Sequence, residues 1–395
     1  MSISLLIAAM GCSAFYISAQ NASYPQFILS LFILSTGITL LQICANPYVA
    51  ILGEERSASS RLNLAQGLNS LGTTIGPIVG NILIYNVFSN GEKSVESVGT
   101  TYLLYGFIFL ILAIFIGLNK LPAFTNNTVN SSGLQVLKNR NLRFGILAIF
   151  FYVGSEVAVG SWLGSFSKDP SIMGLNEQSA NYYLAFFWGG LMIGRLMASI
   201  SLSDKWKNER KWLPMLLTSV FMFFIIWIAT GIKVDTGNNG TLLSFDPISL
   251  DQLWIYNLFM LLNFFAFLIG KGKAERLIVI FCSINAILLV FGIFSSGAIA
   301  FWSILGTGLF FSIGWSNIFS LSIKGLGNMT SQGSSLLVMA IVGGAIIPYV
   351  QSQIIEISTI QTSFLVPLLA MIYLIFFGIS GYKQNTTDTS SPKSS

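Results

Sequence analysis

Apolar residues run along this chain in twelve long blocks, roughly 2–19, 25–52, 61–88, 101–119, 143–167, 180–203, 211–233, 252–270, 275–296, 298–323, 333–356 and 363–383. Each is close to the roughly 20 residues a helix needs to cross the hydrocarbon of a bilayer. The blocks 275–296 and 298–323 are nearly continuous. They divide at Ser295-Ser296-Gly297, because one helix of about 49 residues is far longer than a single crossing needs. The first block lacks the basic start of a signal peptide and reads as a span. The expected fold is therefore an all-α membrane protein of twelve spans. Four lie in 1–119, a polar linker follows at 120–142, eight more fill 143–383, and a polar tail from 384 is expected to be disordered.

Composition supports this pattern. Of 395 residues, 53% are apolar and only 9% are charged, against about 25% charged in soluble domains. Such a chain finds its solvent in a bilayer. The lysines and arginines then fix the orientation. If the loop after the second block is cytoplasmic, sixteen of the 20 fall on that side, Lys93, Lys168 and Lys233 fall on the other, and Arg195 lies within a span. Both termini face the cytoplasm in this arrangement. The net charge of +5 is thereby explained by topology rather than by nucleic-acid binding.

Several chemistries drop out. The chain has no histidine, and Cys12, Cys44 and Cys282 lie in separate apolar blocks without metal-ligand spacing, so they read as packing residues. No phosphate-loop pattern is present, and the short loops carry no catalytic cluster, which disfavours an enzyme.

Polar groups inside the blocks are costly in hydrocarbon, about 3 kcal/mol for a central carboxylate, and so are informative. Glu156 lies about 20 Å from the cytoplasmic end of its block at 1.5 Å per residue. It reads either as a substrate or cation ligand or as half of a structural pair with Arg195. Arg195 lies about 12 Å above the cytoplasmic end of its own block and reads as a gating or structural ion-pair residue. Gln42 and Asn46 share a helix face four residues apart, with Pro47 freeing a carbonyl upstream. Asn63, Gln66 and Ser70 line one face of the next block, with Asn69 about 60° away. Amides both donate and accept, which suits a pocket for a polar solute and equally suits contacts between helices. Trp188, Trp315 and Asn317 lie within later blocks; the two indoles read either as the wall of a substrate pocket or as packing residues. Gly72, Gly76 and Gly80 predict a ridge for close helix packing. Gly343-Gly344 and Pro348 predict packing or a hinge.

LQICANPYVAILG (41–53) followed by RLNLAQGLNSLGTTIGP (61–77) resembles the L-fucose permease family of the major facilitator superfamily. FYVGSEVAVGSW (151–162), WGGLMIGR (188–195), IKGLGNMTSQGSSLLVMAIVGGAIIP (323–348) and GYK (381–383) match in the same order. The resemblance implies secondary transport of a monosaccharide of fucose, glucose/galactose or N-acetylglucosamine type. It implies coupling to H+ or Na+, with uniport left open, no cofactor, a monomer in the inner membrane and alternating access. It also implies that SDKWKNERKW (203–212) is the charged cytoplasmic loop that locks one conformation.

Two departures accompany the resemblance. The ANPY segment lies on the second helix here and on the fourth in the family, so the chain is expected to lack the family's first two helices, one of which carries an acidic residue tied to proton coupling. Gln42, where some relatives have Glu, cannot ionise. The blocks 211–233 and 252–270 have no family counterpart and read as an inserted hairpin with an outside loop at 234–251. A non-transporting membrane protein or sensor, and a transporter of another solute, remain the alternatives.

Overall fold

The computed structural model describes residues 1–88, 95–119, 135–205, 208–237 and 240–384. The helices are α1 Ser2–Gln20, α2 Tyr24–Ile51, α3 Ala58–Asn81, α4 Val95–Leu118, α5 Arg140–Lys168, α6 Glu177–Ser201 and α7 Trp212–Gly231. After a hairpin of β1 Ile232–Gly237 and β2 Gly240–Phe245 come α8 Trp254–Gly270, α9 Ala274–Phe294, α10 Gly297–Phe310, α11 Gly314–Ile323, α12 Thr330–Met339, α13 Gly343–Ile357, the one-turn α14 Ile360–Ser363 and α15 Leu365–Phe376. A π-helical turn, Ile82–Val87, extends α3.

Among the described residues, eleven segments are long and apolar enough to span a bilayer, and α3 is the expected twelfth. It misses that set because Asn63, Gln66, Asn69, Ser70, Thr73 and Thr74 interrupt its apolar character. With its extension it is still long enough to cross at 1.5 Å per residue. The chain is a multi-pass, all-α membrane protein.

The division at Ser295-Ser296-Gly297 is borne out. Ser295 and Ser296 are extended, and Gly297 takes φ +60°, the left-handed region. A side chain there would meet nothing closer than Ile172 O at 3.9 Å. Gly297→Ala should therefore cost only the backbone term, about 1 kcal/mol, read from unfolding in mixed micelles.

Several features differ from the sequence expectation. The run 298–323 is not one helix: residues 311–313 break it between α10 and α11, and 340–342 break the following run as a 3-10 turn. The loop at 234–251 begins with the antiparallel β1–β2 pair, Gly237 opposite Gly240. Among the described residues, a Cβ placed on Gly72, Gly76 or Gly80 would meet nothing within 4 Å, so no neighbour packs on the expected ridge there. Cys12 and Cys282 are buried as expected, whereas Cys44 is exposed. Residues 120–134 of the expected linker and 385–395 of the expected tail lie outside the described residues.

The described residues form two compact units, and the chain passes from one to the other inside α2 and again inside α3. The first comprises Met1–Tyr48, Ile75–Thr128 and Gly231–Pro247. Within it α1 meets α2 at two glycines: a Cβ on Gly11 would sit 2.6 Å from Leu34 Cα, and one on Gly37 would sit 2.5 Å from Ala8 N. Only glycine allows backbones this near. Phe15 stacks on Tyr102 at 4.2 Å to join α1 to α4.

The second unit comprises Val49–Thr74, Val129–Thr230 and Ile248–Ser395. Here α5 is central, packed by α6, α10, α11, α13 and α15. Gly343 packs against α5, where a Cβ would come within 2.9 Å of Phe150 Cα. Two residues at the start of α5 satisfy helix ends that have lost their backbone partners. Asn141 donates to Leu321 O, Ser322 O and Lys324 O at 2.9–3.2 Å, closing α11. Arg140 donates to Ser380 O at 2.8 Å beyond α15.

Candidate functional site

The second unit gathers a charged cluster in mid-span. Arg195 of α6 is 8% exposed, and all three guanidinium nitrogens are engaged. Nη2 faces Glu156 Oε1 and Oε2 of α5 at 3.2 and 3.4 Å, Nη1 donates to Ser70 Oγ of α3 at 2.6 Å, and Nε donates to Ser312 O at 3.2 Å. The last acceptor exists because residues 311–313 break the helix, freeing a carbonyl from the helical ladder. The carboxylate and guanidinium side chains are 12% and 10% exposed. Buried charges survive only when paired and hydrogen-bonded, and four elements converge to satisfy this pair. Tyr152, one turn before Glu156, lies beside its carboxylate.

A second polar contact lies nearer the start of α3. Asn63 Nδ2 donates to Asn317 Oδ1 of α11 at 3.0 Å and to Ser59 O at 2.8 Å. Both asparagines are fully buried, and Asn63 Oδ1 and Asn317 Nδ2 have no hydrogen-bond partner among the described residues. Ser60 Oγ donates to Ser199 O of α6 at 2.6 Å, and Gly67 lets α3 close on Leu196. Thus residues 58–74 of α3 are fastened to α6 and α11 by hydroxyls, amides and one guanidinium.

The other sequence candidates are placed as follows. Gln66 is half-buried and Asn69 exposed on the same stretch of α3. Trp188 is half-buried, with its ring against Gly160 of α5 and edge-on to Phe187 at 5.2 Å. Trp315 is buried and stacks on Phe319 at 5.0 Å, so one ring face is already occupied. In the first unit Gln42 is exposed on α2, and Asn46 is buried with Nδ2 unpartnered among the described residues. The structure joins Glu156 to Arg195 and Asn63 to Asn317; Trp188 and Trp315 pack within their own neighbourhoods. Ser312 and Tyr152 belong to the cluster although the sequence does not single them out. The only sequence signal for Ser312 is a Ser-Ile-Gly step inside an apolar run.

The charged loop at 203–212 contributes Asp204, which pairs with Arg56 Nε at 3.0 Å, while Arg56 also meets Glu54 at 2.6 Å. These side chains are exposed, and such pairs contribute little. Trp206 and Lys207 lie outside the described residues. Among the described residues no cluster of Cys, Asp or Glu could hold a metal ion.

Residues 1–245 match the Major Facilitator Superfamily. A glucose/galactose transporter of Brucella abortus biovar 1 (strain 9-941) is 35% identical over 387 residues, covering 96% of this chain and 77% of that protein. The L-fucose-proton symporter of Escherichia coli (strain K12) is 26% identical over 399 residues, covering 94% and 76%. The crystal structure of the E. coli fucose:proton symporter superposes with a TM-score of 0.71 at 24% identity, covering 96% of this chain and 82% of that one. These relatives are transporters rather than enzymes, and the fold, the family match and the shared sequence agree: the chain belongs to the major facilitator superfamily.

Proposed function

We propose that this protein carries a neutral monosaccharide across the membrane by alternating access, coupled to a cation gradient and without a cofactor. The observation carrying the reading is the polar face of α3, where Asn63, Gln66, Asn69 and Ser70 run beside a buried Glu156–Arg195 pair. Such a face offers donors and acceptors to sugar hydroxyls. Relatives named as a glucose/galactose transporter and an L-fucose-proton symporter support the substrate class.

In this reading Gln66 and Asn69 contact sugar directly, Trp188 supplies an apolar wall, and Glu156 holds the substrate or the coupling cation. Gln42 and Asn46 are further contacts on α2. Asn63, Trp315 and Asn317 line the same polar path, where the hydrogen bonds and stacking they already make hold it in shape. Arg195 acts as a gate, since rocking of α3 against α6 has to break its bond to Ser70. The Lys/Arg distribution supports an inner-membrane location with both termini cytoplasmic. We read α7 and α8 as a helix pair inserted between the matched parts of the C-terminal bundle.

Uptake of labelled glucose, galactose, fucose and N-acetylglucosamine into proteoliposomes tests this. One of them should enter saturably and be competed by unlabelled sugar. Absence of saturable entry for every monosaccharide, under both proton and sodium gradients, rejects the reading.

A further inference from the structure

We propose that a groove formed by α6, α7 and α8, at their Lys- and Arg-rich ends, binds the headgroup of an anionic phospholipid. The groove has a volume of about 280 Å³ and is lined by Ser201, Glu209, Lys211 and Lys271, with Met215, Phe267 and Leu268 forming its apolar wall. It thus joins a cationic mouth to hydrocarbon-like sides, the two chemistries of one lipid molecule.

Lys211 makes the first argument. A lysine at the end of a span usually snorkels, sending its ammonium to water. Lys211 is instead 8% exposed, with Nζ turned inward to donate to Ser201 O at 2.8 Å. An ammonium has three donors, and this is its one hydrogen bond among the described residues. Burial lowers the Lys211 pKa and the field of Asp204 works against that shift; a phosphate at the groove would add to the same stabilisation of the ammonium.

Lys271 makes the second. It caps α8 at φ +50°, left-handed geometry that favours glycine, and Gly272 follows at φ +67°. A lysine held there has a backbone cost, yet it sets a second cation at the groove. Glu209 is the one acidic side chain in the lining, against two lysines.

A second groove, of about 420 Å³, is lined by Arg210, Trp212, Leu213, Pro214 and Leu217 at the same end of α7. Trp212 is 48% exposed and Leu217 59%. Tryptophan settles at headgroup depth, which places the lysines level with lipid phosphates, and the exposed face of α7 below offers a track for an acyl chain. Anionic leaflets attract such cations at about 1 kcal/mol each.

Native mass spectrometry of the full chain in detergent tests the proposal, using phosphatidylglycerol, phosphatidylcholine with the same acyl chains, and glycerol phosphate as the headgroup alone. Phosphatidylglycerol should be retained preferentially. Lys271→Gln, an exposed change, should weaken retention about fivefold, and Lys211→Gln with Lys271→Gln about 30-fold. Brominated phosphatidylglycerol should also quench wild-type Trp212 more than brominated phosphatidylcholine does, read as the difference from Trp212→Phe. Equal retention of the two lipids, unchanged retention in Lys271→Gln, or displacement by an equal concentration of glycerol phosphate would overturn the assignment.

Discussion

Glu156→Ala loses about 3–5 kcal/mol of stability in mixed-micelle unfolding, the scale for a buried ion pair stripped of one partner. Arg195→Met loses less, and the double variant recovers at least half of the larger loss. The asymmetry follows from how each survivor can shed its charge. A carboxyl left alone can bind a proton, whereas a guanidinium holds its charge and must keep acceptors. Arg195 would retain Ser70 Oγ at 2.6 Å and Ser312 O at 3.2 Å but lose both carboxylate contacts. The two side chains are 10% and 12% exposed, so water offers little relief. Single losses that add in the double variant would show that the pair does not act as a unit.

The same cluster shows what can be read from sequence. Glu156 and Arg195 stand out because charge is rare inside apolar runs, and their pairing is one of the two readings that the sequence leaves open for Glu156. The division at Gly297 is legible because one continuous helix would overrun the bilayer. The break at residues 311–313 is not, since Phe311 and Ile313 are as apolar as their neighbours and nothing local requires the helix to stop. The partner of Asn63, 254 residues away at Asn317, is equally hidden. Periodicity assigns a residue to a helix face, but which helix faces it depends on tertiary packing.

The glycines of α3 teach the opposite lesson. Gly72, Gly76 and Gly80 have the spacing of a packing ridge but meet nothing within 4 Å among the described residues, while Gly11 and Gly37, which carry no repeat, bring α1 and α2 together. Spacing shows that close approach is allowed; it does not show that a neighbour arrives. The β1–β2 hairpin carries a turn signal in Asn239-Gly240, but its short strands follow directly on the apolar run of α7, which masks them as the end of a span.

The second large effect separates coupling from structure. Glu156→Gln keeps an oxygen that accepts from Arg195 Nη2 but fixes the group in its neutral form. If Glu156 carries the coupling proton, concentrative uptake of the sugar collapses to an accumulation ratio of about 1, because one charge moved through 100 mV supplies about 2.3 kcal/mol, or about 50-fold in accumulation. Counterflow, which exchanges labelled for unlabelled sugar with no net proton movement, should persist near the wild-type rate. A purely structural pair predicts a different pattern, with uptake and counterflow falling together in proportion to the folded fraction. A sugar contact predicts a third, with KM rising in both modes and the accumulation ratio preserved. Measuring the two modes on one preparation of proteoliposomes distinguishes the three, and persistence of uphill uptake in Glu156→Gln would exclude this carboxylate from coupling.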